Sequence, residues 1–252
     1  MRRERFSVLT FNFSTYNQKM PLPYFFSQNI NESNPDLDEE TSRHIIQVLR
    51  MQQGEHLMLT DGNGNTAEAE ITAAHKKHCG LHITKRNFTE QRTPRLTIAI
   101  SLIKNASRFE WFVEKATELG TAEIIPLLCE RTERQKFRHD RFLGICKSAM
   151  LQSMQCWLPN LHEPQHFKTV IASAIHAQKF IAHCAPEEKK ELKEEIDSTA
   201  ISRIILIGPE GDFTSTEISF ATQNGFVPVA LGPTRLRTET AGVYAATVLQ
   251  SK

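Results

Sequence analysis

From residue 96 to residue 250, short apolar runs alternate with amphipathic segments, and this alternation constrains the fold more than any other feature. Apolar runs of a few residues are typical of buried strands, whereas apolar residues spaced three and four apart are typical of helices. Their alternation predicts a parallel sheet covered by helices, an α/β domain. The predicted strands cover residues 96–103, 124–128, 179–184, 203–207 and 227–231, and the predicted helices cover residues 107–119, 140–158, 187–196, 214–224 and 238–250.

Several helix boundaries can be read directly from the sequence. Ser107 with Glu110, and Thr214 with Glu217, have the spacing of a capping box at a helix N-terminus. Pro159 cannot continue a helix, so it predicts the end of the segment that precedes it. We also expect Trp157 to pack within that helix.

A different pattern fills residues 20–90. Residues 55–72 read as two strands joined by an Asp-Gly-Asn-Gly turn at 61–64, and residues 40–51 have the apolar spacing of a helix. The polar stretch 87–95 contains Pro94 and predicts the domain boundary. We therefore predict a disordered extension over residues 1–19, a small β-rich domain over 20–90 and the α/β domain over 91–252.

Composition excludes several classes of protein. The net charge is +1, so an RNA-binding surface has to be a local patch of basic residues. The five cysteines are odd in number and form no Cys-x-x-Cys pair, which argues against a zinc ribbon or a disulfide framework and favours reduced thiols in the cytoplasm. No apolar run approaches the roughly 20 residues of a membrane span. We interpret His75, His78, Cys79 and His82 as an exposed strand face and expect no metal site.

Two strand-to-helix junctions carry the chemistry that the sequence suggests. The first is the Gly-Pro-Glu-Gly segment at 208–211, and the second is the Gly-Pro-Thr-Arg-Leu-Arg segment at 232–237. Ligands of open parallel sheets bind beyond the carboxyl ends of the strands, where both junctions lie. Glycines there let the backbone approach a ligand closely. Either junction alone is equally consistent with a tight turn.

Arg235 and Arg237 favour the ligand-binding interpretation. They stand just before a predicted helix N-terminus, whose partial positive charge disfavours nearby cations. Basic side chains at that position predict an anion, such as a carboxylate or a phosphate. The simpler alternative is that Glu239 alone pairs with both arginines.

The two junctions at this spacing, together with Thr238-Glu239-Thr240-Ala241, resemble the bacterial 16S rRNA (uracil-N3) methyltransferases of the RsmE type, which belong to the SPOUT superfamily. The resemblance covers nearly the whole chain after Met20. It extends to His44 with the 48–50 segment and to the segment 115–120.

This resemblance implies an N-terminal PUA-like β-barrel that binds RNA and a C-terminal SPOUT domain with a deep trefoil knot. It also implies a homodimer whose sites each include the partner subunit, and S-adenosylmethionine as the methyl donor, bound in a bent shape. Carried over by position, the residues that hold this cofactor are Leu206, Gly208, Gly211, Leu231, Gly232, Leu236, Arg237 and Thr240.

The chain departs from the family pattern at a few positions. Asp212 stands where glycine is usual, and Leu151 and Gln155 replace an acidic residue and an arginine. Thr234-Arg235 replaces a basic-then-aliphatic pair.

For methylation at uracil N3, we expect a cation to stabilise the anion that forms on the flanking carbonyl oxygens. Arg237 is the first candidate and Arg131 the second, while Glu210 or Glu239 is expected to accept the N3 proton. Phosphate contacts are expected from both domains. The candidate RNA-binding residues are Arg43, His44, Arg50, Lys104, Arg108 and Arg131.

Two other functions remain open at this point. One is a SPOUT enzyme that methylates a ribose 2′-hydroxyl. The other is an inactive RNA-binding or ribosome-assembly module, although the intact glycines and Arg237 argue against loss of the cofactor pocket.

Overall fold

The structure is a computed structural model that describes residues 21–133 and 136–250. The predicted extension over residues 1–19 lies outside the described residues. Met20 and Arg134 lie outside them as well. Two sheets organise the chain, one of four strands and one of eight. In the described residues, no helix is long and apolar enough to cross a membrane.

The first sheet has the strand order β1-β2-β3-β4. Its elements are β1 (Tyr24–Phe26), α1 (Glu39–Arg43), a π-helical turn (His44–Val48), β2 (His56–Thr60), β3 (Asn65–Ala73) and β4 (Gly80–Phe88). The predicted hairpin is confirmed, because β2 and β3 pair antiparallel on either side of the turn at 61–64. Ala67, Ala69 and Ile71 alternate toward a buried core, as period-two spacing requires.

The second sheet has the order β10-β12-β9-β11-β5-β6-β7, with β8 also paired to β6, and its pairs are parallel. Its strands are β5 (Arg95–Ser101), β6 (Glu123–Leu128), β7 (Asn160–Leu161), β8 (Gln165–His166), β9 (Gln178–Ala182), β10 (Lys190–Glu191), β11 (Ser202–Ile207) and β12 (Val227–Ala230). Its helices are α2 (Ala106–Glu118), α3 (His139–Gln152), α4 (Phe167–Ser173), α5 (Ser215–Gln223) and α6 (Thr238–Gln250). The predicted parallel α/β architecture is confirmed.

Two clusters of buried apolar side chains lie on the second sheet. One contains Phe109, Phe112 and Ala245 from α2 and α6, and the other contains Phe213 and Ile218 from the region of α5. Helices on both faces explain why strands such as β11 are apolar at consecutive positions instead of alternating.

Helix α6 is fastened at its C-terminal end to β11. The guanidinium of the buried Arg203 donates to the carbonyl of Leu249 at 2.5 Å and to the carbonyl of Asp197 at 2.8 Å. The last carbonyls of a helix have no partner within the helix, and a cation there is favourable. The position of the whole last helix is thus fixed from inside the sheet.

Two helix predictions are wrong in extent. Residues 187–196 form the short strand β10 and a 3-10 turn (Leu192–Glu194) instead of a helix. There the backbone pairs with β12, and Leu192 is the side chain that enters the core. Helix α3 ends at Gln152, not at residue 158, because Met154 adopts φ +52° and turns the chain. Trp157 is therefore outside the helix.

Of the two capping boxes predicted at helix N-termini, one is confirmed and one is wrong. The capping box of Thr214 and Glu217 is confirmed. The one predicted at Ser107 is wrong, because Asn105 caps α2 and accepts from the Ser107 backbone N–H at 3.0 Å. Glu110 instead receives two hydrogen bonds from Arg141, at 2.6 and 2.9 Å. The cap is thus two residues earlier than predicted, and the Glu110 carboxylate pairs with Arg141 instead of with the helix N-terminus.

The helix predicted over residues 40–51 is also too long. It divides into α1 and the π-helical turn, and Ile45 is its one fully buried apolar residue, whereas Val48 and Leu49 are exposed. His75 and His78 lie in the connection before β4, not on a strand face as predicted, and Cys79 is buried. The Cys79 backbone N–H donates to the Ser42 hydroxyl at 3.1 Å, which explains why the residue points inward.

The hairpin turn at 61–64 joins the two sheets. Leu158 donates its backbone N–H to the Gly62 carbonyl at 2.8 Å, and Gly64 donates to the Cys156 carbonyl at 2.8 Å. Trp157 packs against Gly64, and its indole N–H donates to the Thr89 carbonyl at 2.8 Å. The chain leaves α3 early because its next residues make this contact.

Candidate functional site

Three neighbouring parallel strands end at one edge of the second sheet. Ala182 at the end of β9 is in register with Ile207 of β11 on one side and Val229 of β12 on the other. The segments that follow these three strands line a cavity of about 830 Å³, which we call the strand-end cavity. It lies where ligands of open parallel sheets bind.

The first predicted junction forms one wall of the strand-end cavity. A Cβ on Gly208 would lie 3.1 Å from the ring of Phe213, so any other residue there would require that ring to shift by a few tenths of an ångström. The hydroxyl of Thr238, the first residue of α6, donates to the Gly208 carbonyl at 3.0 Å. This bond ties the two junctions together across the cavity.

Asp212, where the resemblance predicts glycine, occupies a left-handed backbone conformation with φ +63°. Glycine adopts that region freely, and aspartate is among the side chains that tolerate it best. Its carboxylate accepts from the Cys184 backbone N–H at 2.7 Å and from the Phe213 N–H at 2.9 Å. The departure at this position therefore adds a bond between the loops after β9 and β11.

The second junction forms the opposite wall. Gly232 has φ +102°, and a Cβ built there would meet nothing within 4 Å, so the space beside its Cα is open. Arg235 reaches the Glu210 carbonyl at 3.5 Å, a long contact. Arg237 is exposed at the cavity just before α6.

The structure separates Glu239 from the arginines that the sequence associated with it. Glu239 is buried and pairs with Arg108 of α2, with 3.6 Å between Nε and Oε1. The simpler alternative, in which Glu239 alone pairs with Arg235 and Arg237, is therefore wrong. Helix packing brings Arg108 across from α2, over 130 residues away in sequence, and this leaves the two arginines directed at the cavity.

Glu210 lies exposed at the edge of the same cavity. One of its carboxylate oxygens accepts from the Lys104 backbone N–H at 3.3 Å. The Lys104 ammonium is bonded to Glu133 at 2.8 Å, and this hydrogen bond raises the Lys104 pKa above its usual range. Arg131 donates to the Gly211 carbonyl at 2.7 Å. Lys104 and Arg131 thus stand beside the first junction.

The structure brings together most of the residues predicted to bind the cofactor. The predicted residues that line the strand-end cavity are Gly208, Leu231, Gly232, Leu236 and Arg237, together with Glu210, Glu239 and Arg108. Leu206 is buried inside β11, Gly211 lies against Arg131, and Thr240 is exposed on α6. Those three are outside the cavity lining.

The other predicted RNA-binding residues lie on the first sheet's helical segment. Arg43 pairs with Glu39 at 3.3 Å, and both side chains are more than half exposed. The exposed His44 ring packs edge-on against Phe25, and Arg50 adopts φ +57° just after the π-helical turn. These side chains form a group separate from the strand-end cavity.

His183 is one of several lining residues that were not predicted from the sequence. His183 follows β9 directly, is 7% exposed and lines the cavity between the two junctions. Burial, and next the nearby Lys189, lower the pKa of its imidazole below the usual 6.5. The rule that drew attention to the junctions after β11 and β12, that ligands lie beyond strand ends, applies equally to β9.

Comparison with known proteins agrees with this geometry. The family of the RNA methyltransferase domain matches residues 89–250, and the RNA methyltransferase PUA domain matches residues 37–83. The ribosomal RNA small subunit methyltransferase E of Synechocystis is 32% identical over 86% of this chain and 73% of its own length.

Solved structures show the same arrangement. A probable rRNA methyltransferase from Porphyromonas gingivalis is 36% identical with a TM-score of 0.84, over 91% of this chain and 98% of that one. The ribosomal RNA small subunit methyltransferase E of Neisseria gonorrhoeae, bound to S-adenosylmethionine, is 27% identical with a TM-score of 0.81, over 91% and 97%. The chain with the glycine-walled cavity described above belongs to the RNA methyltransferase family, with the PUA and methyltransferase domains of its RsmE-type members.

Proposed function

We propose that this protein transfers the methyl group of S-adenosylmethionine to N3 of a uridine in 16S rRNA of the small ribosomal subunit. The observation that carries the proposal is the strand-end cavity with Arg237 exposed at its edge. Relatives named ribosomal RNA small subunit methyltransferase E, and the cofactor-bound structure from Neisseria gonorrhoeae, support the substrate and the methyl donor.

The cavity residues fit this cofactor. Gly232 leaves open space where any other residue would place a Cβ, so a ligand can approach the backbone there. Arg235 supplies a cation for the carboxylate of a bound amino acid. The bound cofactor supplies an electrophilic methyl group on a sulfonium, so the protein mainly binds, orients and neutralises.

The proposed chemistry needs the N3 proton to leave. Passage of that proton to a carboxylate would spread negative charge over the two uracil carbonyl oxygens. The cofactor, when bound, would supply the methyl group that N3 takes up, with its sulfur as the leaving group. We assign stabilisation of this charge to Arg237, in the manner of an oxyanion hole. Arg131 is bonded to the Gly211 carbonyl, which leaves it the weaker candidate.

Glu210 suits the role of proton acceptor better than Glu239. Glu210 is exposed at the cavity, whereas Glu239 is buried and paired with Arg108. The Arg108 guanidinium already pairs with the Glu239 carboxylate, whereas Glu210 lies at the edge of the cavity. We therefore assign Glu239 to positioning Arg108, and Glu210 to general base chemistry.

RNA contacts are proposed on both sheets. Arg43, His44 and Arg50 on the first sheet, and Lys104, Arg108 and Arg131 near the cavity, supply charge for phosphates. We also propose the domain division at about residue 90, a C-terminal trefoil knot, a homodimer that completes each site, and a cytoplasmic location where subunits are assembled. Leu206, Gly211 and Thr240 remain proposed cofactor contacts.

The test is methyl transfer from labelled S-adenosylmethionine to naked 16S rRNA and to assembled small subunits, followed by identification of the methylated nucleoside. We expect 3-methyluridine, and the Arg237→Ala variant serves as the inactive control. Label on a ribose 2′-hydroxyl would replace the proposed reaction with the alternative SPOUT activity. An absence of both transfer and cofactor binding would instead support an RNA-binding module.

A further inference from the structure

His183 is the one buried histidine in the lining of the strand-end cavity among the described residues. Neither of its ring nitrogens has a hydrogen-bond partner within the described part of the chain. A buried polar group without a partner costs about 1–3 kcal/mol, so most such groups are paired with protein, water or ligand. The position of this one, in a cavity wall, points to a ligand.

The charged side chains near His183 form hydrogen bonds with other groups. The Asp212 carboxylate accepts from the Cys184 and Phe213 backbone N–H groups, and these bonds fix the loop that follows His183. The Lys189 ammonium is bonded to the Ala185 and Glu187 carbonyls. The imidazole is thus held in place by its own backbone and by burial, with its hydrogen-bonding capacity unused.

Resting on the proposed function, we propose that His183 binds the nucleoside part of the methyl donor, through a hydrogen bond to a ribose hydroxyl or an adenine nitrogen. A neutral imidazole has one donor and one acceptor, which suits neutral groups that also donate and accept. The carboxylate of the methyl donor instead suits Arg235, which belongs to the junction after β12. Nucleoside and amino acid would thereby be bound by different residues of the cavity.

Electrostatics keep the imidazole in the required form. The charged groups that act on it are Lys189, Asp212 and Glu187, and burial is the largest effect on its pKa. Burial and Lys189 lower that pKa, and the two carboxylates raise it by less. His183 is consequently neutral at pH 7 and presents no charge to repel a cationic sulfonium.

The experiment measures dissociation constants by calorimetry for two probes, S-adenosylhomocysteine and 5′-methylthioadenosine, which share the nucleoside but differ in the amino acid. His183→Phe fills the volume without hydrogen bonds, and we expect it to weaken both probes about tenfold, roughly 1.4 kcal/mol. His183→Asn restores a neutral donor and acceptor and should recover binding to within about threefold. His166→Ala, at an exposed histidine outside the cavity, is the matched control.

Each outcome decides the inference. Unchanged binding of both probes in His183→Phe overturns the inference, because it shows that His183 makes no contact with them. A loss of affinity for S-adenosylhomocysteine alone also overturns it, because the contact would then be with the amino acid. If the wild-type protein binds neither probe, the proposed function itself fails. Repeating the series with 2′-deoxy probes distinguishes a sugar contact from a base contact. If His183 binds the 2′-hydroxyl, the loss of affinity from His183→Phe and the loss from removing the hydroxyl will not add up.

Folding is checked independently. The thermal midpoint without ligand is measured for each variant, and nitrogen NMR of the wild-type histidines covers the case in which His183→Phe does not fold. Binding of S-adenosylhomocysteine should then shift the two His183 ring nitrogens and leave those of His166 in place. Equal, unshifted signals for both histidines would refute the contact without any variant.

Discussion

Two of the cavities among the described residues are built in different ways. The strand-end cavity is lined by segments that directly follow three adjacent strands, and its walls are glycine turns. A second cavity of about 480 Å³, the inter-sheet cleft, lies between the two sheets beside Trp157. Its lining comes from six separate stretches of chain, and includes Tyr24, Lys85, Arg92 and Gln155.

This difference separates what local sequence can encode from what packing creates. The carboxyl ends of parallel strands lie at one edge of the sheet, so the position of a motif that follows a strand can be predicted from the sequence. The inter-sheet cleft has no such rule, because it exists only once the turn at 61–64 has docked on Trp157. We therefore expect substitutions in the strand-end cavity to change the rate of methyl transfer. Substitutions in the inter-sheet cleft should instead change how stably the two sheets pack together.

Arg237→Ala should give the largest effect. Loss of a group that stabilises the transition-state anion costs about 100- to 1,000-fold in rate, roughly 2.7–4 kcal/mol. The matched change Arg92→Ala removes an arginine from the inter-sheet cleft and should leave kcat within about threefold. Single-turnover methyl transfer measures both. Retention of transfer within about tenfold in Arg237→Ala would remove this residue from the proposed mechanism.

Gly64→Ala should have the next largest effect, which is a decrease in the free energy of unfolding. Gly64 has φ +87°, and its added Cβ would lie 2.6 Å from the Trp157 ring and 2.7 Å from the Thr89 carbonyl. We expect a cost of about 3 kcal/mol, from left-handed strain of about 1–2 kcal/mol plus overpacking. Urea unfolding monitored by tryptophan fluorescence measures it.

Gly54→Ala is the control for that change. Gly54 has φ +86°, and its Cβ would meet nothing within 4 Å, so the substitution carries the strain without the clash. Equal losses of stability in the two variants would mean that contact between the sheets at Trp157 contributes nothing.

Asp212→Ala should cost less, about 2 kcal/mol of stability. Alanine tolerates the φ of +63° poorly and removes both hydrogen bonds of the carboxylate. Asp212→Asn keeps the backbone tolerance and one acceptor oxygen, so about half the loss should remain. Thermal unfolding of the two variants tests this. If alanine and asparagine are equivalent, the bond between the loops after β9 and β11 does not stabilise the cavity.

Thiol alkylation should give the smallest effect and compare the two cavities directly. Cys184 lines the strand-end cavity and Cys156 lines the inter-sheet cleft. S-adenosylhomocysteine should slow alkylation of Cys184 several-fold and leave the rate at Cys156 unchanged, as measured by mass spectrometry of labelled peptides. Equal protection at both cysteines would mean that ligand binding changes the whole protein instead of covering one cavity.

Two other cysteines serve as internal references in that experiment. Burial raises the pKa of Cys129 to about 12 and that of Cys146 to about 11. Since the thiolate is the reactive form, both should stay unlabelled at pH 8 while the protein is folded. Their labelling would report unfolding and invalidate the comparison in that sample.

Much of the fold followed from pattern alone. The bounds predicted for α6 are those observed, and the capping box at Thr214 and the hairpin turn at 61–64 are as predicted. These features depend on bonds between residues a few positions apart, which any fold containing them must satisfy. The predictions that were wrong, such as the helix over 187–196 and the end of α3, concern segments whose partners are distant in sequence.

The candidate site divides in the same way. The sequence by itself determined the two glycine junctions and Arg237, because the need for close backbone approach and for charge near a helix N-terminus is local. Only the tertiary structure decided that Glu239 pairs with Arg108 and that His183 stands unpaired between the junctions. Pairing and burial depend on which strands and helices become neighbours, and that choice is made by packing across the whole chain, not by the residues on either side.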